Sequence, residues 1–273
     1  MKRSKNIIGN SVDSLAENTP SPFISIIVAT LNNSQFLQQC IESIISQTYT
    51  HKEVIVIDGG STDLSLKIIK KLDHDINYWE SKPDRGIYHA WNKALKHAKG
   101  DWVCFLGADD FFHDENVLTS LAPHLQRAET QGINAVYGKV TKVDHKGIII
   151  RVEGKPWDKV GWLMRHGMPI PHPGLMHHKS IFETRGLFDE SFRIAGDYDL
   201  LLRELKDGKA MFVDTVLTVV CRIGGVADSR SIETHNEVAR ARKKLGLPFS
   251  WIWVAVHFKA HIRSVWRRLY STF

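Results

Sequence analysis

Three short runs of apolar, mostly β-branched residues dominate the first half of the chain, and polar residues follow each run at once. The runs occupy residues 23–29, 53–57 and 102–106. Each is too short and too uniformly apolar for an amphipathic helix, which is typical of strands buried on both faces of a parallel sheet. Apolar residues with helical spacing lie between them, at residues 34–48 and 86–98. This alternation predicts βαβ units and an α/β fold with a mostly parallel sheet flanked by helices.

The second half of the chain is less regular. Strand-like runs lie at residues 135–143, 147–152 and 211–220, and a helical pattern lies at 197–206. Residues 169–178 are rich in proline and histidine, which predicts a loop. Hydrophobic residues make up 43% of the chain and charged residues 24%, an ordinary composition for a globular protein with a sizeable core.

Polar residues with useful chemistry stand at the carboxyl ends of three predicted strands. Thr30 and Asn32 follow the first, Asp58 ends the second, and Asp109 and Asp110 follow the run at 102–106. Any one of them could serve only to form a turn or to cap the next helix. Ligands of open α/β sheets bind outside the carboxyl ends of the strands, so three such ends together favour a functional site.

The adjacent carboxylates of Asp109 and Asp110 are the most informative pair. Neighbouring carboxylates repel each other unless a cation or a proton lies between them. A divalent Mg²⁺ or Mn²⁺ ion accepts carboxylate oxygens and leaves coordination positions for diphosphate oxygens. Neither GxGxxG nor GxxxxGK[ST] occurs in the sequence. A diphosphate here would therefore depend on the metal and on Arg85 or Lys93 for charge neutralisation.

Six segments together resemble a known enzyme family. They read SIIVATLN (25–32), VIVIDGGSTD (54–63), DRGIYHAWNK (84–93), FLGADD (105–110), FDE (188–190) and GDYDL (196–200). In this order they resemble glycosyltransferase family 2, whose GT-A fold is Rossmann-like. The resemblance extends from about residue 23 to 226, and it implies a nucleotide-sugar-dependent glycosyltransferase.

The resemblance implies a set of donor-binding residues. Thr30 and Asn32 match residues on the first strand that touch the nucleotide. Asp58 matches an aspartate that accepts a hydrogen bond from the base, typically uracil, which favours a UDP-sugar. Arg85 matches a basic residue near the base and phosphate, and Asp109 matches a residue near the ribose.

The resemblance also implies the metal ligand and the catalytic base. Asp110 matches the direct ligand of a divalent cation, Mn²⁺ or Mg²⁺, and Asp197 matches the base. Two positions depart from the family pattern, because Gly107 replaces a frequent aspartate and Gly196 replaces a frequent glutamate. Asp199 is expected to be structural.

These roles predict a single displacement that inverts the anomeric centre, with a saccharide or lipid-linked saccharide as acceptor in surface polysaccharide or glycolipid synthesis. The transition state would resemble an oxocarbenium ion, and the metal would stabilise the leaving diphosphate. A nucleotidyltransferase acting on sugar phosphates is one alternative, but residues 30–36 lack the glycine and basic residue of its loop. A non-catalytic nucleotide-sugar-binding protein is the other.

His172, His177 and His178 cluster in the predicted loop. Histidine is a common zinc ligand, although no nearby cysteine or HxxxH helix completes such a site. By the resemblance, the loop borders the acceptor side of the site. His172 could therefore contact the acceptor or a phosphate, or it could be purely structural.

The three cysteines, Cys40, Cys104 and Cys221, are widely spaced and form no CxxC pair. This pattern suggests neither a disulfide framework nor a cysteine zinc site. We expect free thiols in a protein of the cytoplasm, a reducing compartment.

Basic residues are concentrated at the end of the chain. Residues 238–273 contain eight Lys and Arg and no acidic residue, so the rest of the chain carries −2 of the total +6. We expect residues 1–22 to be a flexible leader, 23–226 the GT-A domain, and 227–273 a basic amphipathic helical extension. Such a helix suits the inner face of the cell membrane, or it packs on the sheet. Nucleic acid is not an expected partner, since no binding motif accompanies the charge.

Overall fold

The computed structural model describes residues 21–224 and 231–252. Its strands are β1 (Ile24–Thr30), β2 (Lys52–Asp58), β3 (Tyr78–Ser81), β4 (Trp102–Gly107), β5 (Phe111–Phe112), β6 (Ala135–Val143), β7 (Ile149–Glu153), β8 (Met176–His178) and β9 (Met211–Arg222). Its α-helices are α1 (Ser34–Ile45), α2 (Ser65–Lys71), α3 (Ile87–Leu95), α4 (Val117–Thr130), α5 (Trp157–Val160), α6 (Ser180–Arg185), α7 (Gly196–Leu205) and α8 (Ser231–Lys244). Short 3-10 turns lie at Asp73–Asp75 and Gly161–Arg165.

The first four strands form the parallel half of the sheet, in the order β3-β2-β1-β4. Thr30 lies beside Asp58, and Ala29 lies beside Gly107. The sequence predicted these βαβ units, and the parallel pairing confirms them. The register places the carboxyl ends of β1, β2 and β4 at one edge of the sheet.

The rest of the sheet is mixed. Strand β8 pairs antiparallel with both β4 and β6, while β6 pairs parallel with β9 and antiparallel with β7. Strand β5 completes this side by pairing antiparallel with β9. The predicted loop at 169–178 thus ends in the strand that joins the two halves.

Alternate residues of the central strands face two separate cores. Ile24, Ile26 and Val28 of β1 are buried against α1, α2 and α4. Ile27 of β1 and Ile55 of β2 point to the opposite face, where α3 and α7 cover them. Strands buried on both faces account for the continuous apolar runs in the sequence. The three cysteines lie buried and free within this interior.

Helix α4, of 14 residues, was not predicted from the sequence. Leu118, Leu121 and Leu125 are buried at helical spacing, so the pattern was present in the sequence. Pro123 lies inside the helix, which weakens a prediction from sequence because proline removes a backbone donor.

The described part of the basic extension packs on the domain. Arg242 is buried, and its guanidinium donates to the carbonyls of Arg165 and Pro248 at 2.7 and 2.6 Å. Lys244 pairs with Asp189 at 2.8 Å. For these described residues, the contacts agree with the alternative in which the basic extension packs on the domain.

The remainder of the predicted amphipathic helix, residues 253–273, and leader residues 1–20 lie outside the described residues. Among the residues that the structure describes, no helix has both the length and the apolar composition needed to cross a bilayer.

Candidate active site

A cleft at the carboxyl edge of β1 and β4 consists of two adjoining cavities. One, of about 600 Å³, is lined by Thr30, Asp84 and Arg193. The other, of about 380 Å³, is lined by Asp109 and Asp110 among others. Four residues line both cavities: Ile87, Trp91, Ile194 and Asp197. Asp197 therefore lies where the two cavities meet, and it shares a wall with the carboxylate pair.

Thr30 and Asn32 occupy the tip of β1. The Oγ1 atom of Thr30 is buried without a hydrogen-bond partner, and the residue lines the larger cavity. Such an orphaned hydroxyl is costly unless a ligand satisfies it. Asn32 has a φ of 51°, a left-handed conformation that asparagine tolerates better than most residues. Its Oδ1 accepts the backbone N–H of Thr62 at 2.8 Å, which closes the turn.

Asp58 and Arg85 are turned toward protein partners. Asp58 is fully buried, and its carboxylate accepts the hydroxyls of Ser61 and Ser81. The Arg85 guanidinium pairs with Glu190 and is 68% exposed. Neither residue lines the two cavities. Their donor-binding roles stay predictions from the family pattern.

The carboxylates of Asp109 and Asp110 lie directly over Gly107. A Cβ atom at Gly107 would lie 3.0 Å from Oδ1 of Asp109 and 3.0 Å from Oδ2 of Asp110. The turn closes through a hydrogen bond from Asp110 N to Gly107 O at 3.0 Å. A side chain at this position would press on both carboxylates, which fits the absence of an aspartate there.

Asp110 is a buried acid. Burial raises its pKa to about 7, and the neighbouring charge of Asp109 adds to this effect. Lys142 on β6 opposes the rise, since its cation favours the carboxylate. A carboxylate strained by burial and by a like charge gains from a cation placed beside it.

The cations that line the smaller cavity are Lys142 and Arg222, rather than the expected Arg85 or Lys93. Lys93 instead pairs with Glu80 at 3.0 Å. The Arg222 guanidinium lies 4.2 Å above the ring of Phe36, a cation–π contact, and bonds the carbonyl of Asp109.

No motif in the sequence points to Lys142 as a residue of the cleft. The only available signal for Lys142 is its position within β6. There, half-buried Lys142 stands between buried Thr141 and Val143.

The carboxylate oxygens of Asp109 and Asp110 suit a hard divalent cation that takes its remaining ligands from a substrate. Within residues 21–224 and 231–252, no three His, Cys, Asp or Glu side chains converge to hold a metal unaided. Mg²⁺ and related ions are commonly bound by one or two carboxylates plus substrate phosphates and water. Asp110, with Asp109 beside it, meets that requirement.

Asp197 lies in the first turn of α7, where the helix dipole favours a negative charge. Its Oδ1 accepts the backbone N–H of Tyr198 at 2.8 Å, and the Tyr88 hydroxyl lies 3.3 Å away. The same hydroxyl lies 2.6 Å from the carbonyl of Ile194. Burial, together with the charge of Asp197, raises the pKa of Tyr88 well above its usual value. Tyr88 therefore stays protonated as a hydrogen-bond donor.

Gly196 explains the second departure from the family pattern. A Cβ atom there would lie 2.7 Å from the Tyr88 ring, closer than real contacts allow. The glycine lets Tyr88 pack against the start of α7. A glutamate at this position would displace the ring that contacts Asp197.

Glu237 of α8 holds the loop that precedes Asp197. One oxygen of Glu237 accepts the backbone N–H of Arg193, and the other accepts those of Ile194 and Ala195, all at 2.8 Å. Hydrogen bonds to a charged acceptor are stronger than neutral ones. The sequence carried no local signal for this contact, because Glu237 lies more than forty residues away.

Residues 25–176 match the family model described as Glycosyl transferase family 2. The chain belongs to glycosyltransferase family 2. It is 30% identical over 188 residues to a PGL/p-HBAD biosynthesis glycosyltransferase of Mycobacterium bovis, a match that covers 67% of this chain and 70% of the relative. It is also 28% identical over 227 residues to an uncharacterized glycosyltransferase of Mycobacterium tuberculosis, covering 80% of each chain.

Solved structures share the fold of this glycosyltransferase. TarS of S. aureus, in complex with UDP, superposes with a TM-score of 0.61 at 18% identity. The match covers 81% of this chain and 64% of that one. Mannosyltransferase PcManGT from Pyrobaculum calidifontis, in complex with GDP-Man and Mn²⁺, gives a TM-score of 0.61 at 20% identity, covering 91% and 74%. At these identities the likeness shows the fold, and the assignment as a glycosyltransferase rests on the family match and the mycobacterial relative.

The histidines of the glycosyltransferase occupy different environments. His172 is buried against Trp91, lines the smaller cavity, and has no hydrogen-bond partner at Nε2. His177 is fully buried with both ring nitrogens unpartnered, and His178 bonds Ser180 at 2.8 Å. Burial lowers the pKa of both His172 and His177. The described residues therefore offer no support for the zinc alternative.

Asp199, expected to be structural, is fully buried on α7. It forms ion pairs with Arg203 at 3.1 Å and with Lys244 of α8 at 3.3 Å. Its carboxylate links two helices and does not line the cleft.

Proposed function

We propose that this glycosyltransferase catalyses metal-dependent, inverting transfer from a nucleoside-diphosphate sugar, preferably a UDP-sugar. The acceptor is a hydroxyl of a saccharide or lipid-linked saccharide in surface polysaccharide or glycolipid synthesis. The observation that carries the proposal is the shared cavity of Asp109, Asp110 and Asp197. An acidic pair suited to a metal and a carboxylate suited to be a base thus face one space.

The donor occupies the larger cavity in this proposal. The unpartnered Thr30 hydroxyl and the neighbouring Asn32 contact the nucleoside. Asp58 accepts from the base, which requires the turn at Ser61 to move, because Asp58 is fully buried outside the cavity and accepts the hydroxyls of Ser61 and Ser81. Arg85 serves the base and phosphate, which requires its guanidinium to leave Glu190. The Arg85 side chain is 68% exposed, so water screens this ion pair, although Glu190 is only 30% exposed.

The diphosphate lies beside Asp109 and Asp110. A divalent cation, Mn²⁺ or Mg²⁺, held by Asp110 supplies a Lewis acid for the leaving group. Asp109 lies next to the ribose, as its family counterpart does. Lys142 and Arg222 add positive charge on the cavity wall, which favours the charge that develops on the leaving diphosphate.

Asp197 removes the proton from the acceptor hydroxyl. Its position at the junction of the two cavities lets the acceptor oxygen approach the anomeric carbon from the face opposite the diphosphate. A single base with direct attack inverts the configuration. Tyr88 orients the carboxylate, and His172 offers its unpartnered Nε2 to the acceptor or a phosphate.

Two isosteric variants test these roles. Asp197→Asn should lower Mn²⁺-dependent donor turnover at least ~100-fold, as is typical for a lost general base, yet keep the thermal stabilisation by UDP and Mn²⁺. Asp110→Asn should lose both. The exposed Asp214→Asn on β9 is the matched control. Unchanged turnover in Asp110→Asn would remove the metal role, and a product with the donor's anomeric configuration would exclude inversion.

We also propose that the enzyme is cytoplasmic and peripheral on the inner face of the cell membrane. The basic sequence at 238–273 supports this, and so do the exposed rings of Phe249 and Trp251. Sedimentation with vesicles of phosphatidylglycerol and phosphatidylcholine tests it. Binding should exceed that to pure phosphatidylcholine and weaken with salt; equal binding to both vesicles would contradict the proposal.

A further inference from the structure

An apolar groove opens beside the catalytic cleft. It encloses about 300 Å³, at the lower end of the size range of small-molecule sites. Its apolar lining comes from three parts of the chain: Leu163, Gly167, Met168, Pro169, Val238 and Ile252. The groove therefore lies between the 3-10 turn region, α8 and the segment that follows α8.

The groove is continuous with the cavity that holds the carboxylates. Met168, Thr234 and Val238 line both spaces. Asp197 and Val238 also line a common cavity. A molecule that presents a hydroxyl to Asp197 can thus extend past Val238 into the groove.

The outer end of the groove carries an unusual density of exposed apolar side chains. Phe249 is 67% exposed and Trp251 is 78% exposed, and Ile252, at 39%, lines the groove itself. The segment is tied down by a 2.7 Å hydrogen bond between His166 and Ser250. A contiguous patch of exposed apolar side chains marks an interaction site, whereas single exposed apolar residues are normal on protein surfaces.

We propose that this groove binds the apolar aglycone of the acceptor, so that the acceptor is an amphiphile with its sugar at Asp197 and its hydrocarbon portion between α8 and the 3-10 turn region. The proposal rests on the function proposed above and specifies its acceptor class. Three observations carry it: the apolar lining, the residues shared with the catalytic cavity, and the exposed apolar rim. A purely polar saccharide would leave this surface in water.

Gly167 offers a direct way to fill the groove. A Cβ atom at this position would meet no atom within 4 Å, so a side chain can start there without a clash. Gly167→Leu should therefore block the groove and preserve folding. Ile252→Asp places a charge on its wall, and Ile149→Asp, on the exposed face of β7, is the matched control.

Binding is measured first, with n-octyl β-D-glucopyranoside below its critical micelle concentration and methyl β-D-glucopyranoside as the polar counterpart. In saturation-transfer NMR the octyl chain should contact the wild-type protein and the Ile149→Asp control. Gly167→Leu and Ile252→Asp should each weaken this binding at least tenfold. Equal binding by all variants, or no binding to the wild-type protein, would overturn the proposal.

Turnover is measured next with matched methyl and octyl glycosides of several hexoses. For any hexose that accepts sugar, the octyl form should have a KM at least tenfold lower than the methyl form, and Gly167→Leu should abolish that difference. Equal KM values for the two forms would overturn the aglycone assignment. Donor turnover on methyl glycosides reports the proposed function separately, so failure of one proposal is distinguishable from failure of the other.

Discussion

At the residue scale, Gly107 leaves room for the carboxylates of Asp109 and Asp110, the proposed metal pair. Both carboxylates lie close to its Cα, where the family often places a third aspartate. This arrangement leaves Asp110 buried, with a pKa raised to about 7.

We predict that Gly107→Ala impairs metal use more than stability. Its methyl group would press on both carboxylates at 3.0 Å, and each must shift by a few tenths of an ångström. The Mn²⁺ concentration for half-maximal turnover should rise about tenfold, a change equivalent to ~1.4 kcal/mol. Titration of turnover with Mn²⁺ measures this. An unchanged half-maximal concentration would show that the pair tolerates displacement.

Position 196 also requires a glycine, because the Tyr88 ring occupies the space that a side chain would need. Gly196→Ala should displace Tyr88 or Asp197 and lower kcat at least tenfold, with little change in donor KM. Steady-state kinetics test this prediction. The expectation fails if kcat stays at the wild-type value.

At the element scale, helix α8 contacts both α7 and the loop that precedes it. Through Glu237 it fixes three successive backbone N–H groups, and through Lys244 it reaches Asp199 on α7. Both contacts converge on the turn that presents Asp197. Helix α8 therefore holds the segment before Asp197, the proposed base, while lying outside the strands that carry the family motifs.

We predict that Glu237→Gln lowers both activity and stability. The amide nitrogen of glutamine cannot accept a hydrogen bond, so at least one of the three N–H groups loses its partner. Each such loss costs ~1–3 kcal/mol. The free energy of unfolding, measured in urea, and kcat should both fall. The exposed Glu129→Gln on α4 should change neither quantity. A loss of stability with unchanged kcat would separate α8 from the positioning of Asp197.

At the scale of the whole molecule, the interior contains two neutral histidines. His177 is fully buried with both ring nitrogens unpartnered, and burial holds its pKa well below 6.5. Burial also lowers the pKa of His172, although the charge of Asp197 opposes this. Both rings belong to the core that lies between β4 and α3.

These histidines predict a contribution to stability that is lost in mild acid. Below pH 6.5 the unfolded chain binds protons at them while the folded protein does not, so their contribution to the free energy of unfolding falls as the pH drops from about 7 to 5. Asp110, whose pKa is raised to about 7, contributes in the opposite sense over the same range, so the effect of the histidines is read from the difference between variants. The slope is at most ~1.4 kcal/mol per pH unit for each histidine. His177→Leu should reduce the slope, and the exposed His145→Leu should not. Urea unfolding at several pH values measures the difference; identical slopes in both variants would contradict the prediction.

The sequence by itself determined the parallel half of the sheet and the location of the carboxylates. Apolar β-branched runs predict buried strands from local composition alone, and residues directly after a strand must lie at its carboxyl end. Asp109, Asp110 and Thr30 could therefore be placed at one edge before any coordinates were known. Asp197 came from the family pattern.

Only the tertiary structure decided which partners these groups have. Lys142, Arg222 and Glu237 reach the site from elements distant in sequence, and Arg85 was expected there but pairs with Glu190. The apolar groove depends on packing between segments some seventy residues apart. Local periodicity records which face of an element is buried, but it carries no information on which distant element covers that face.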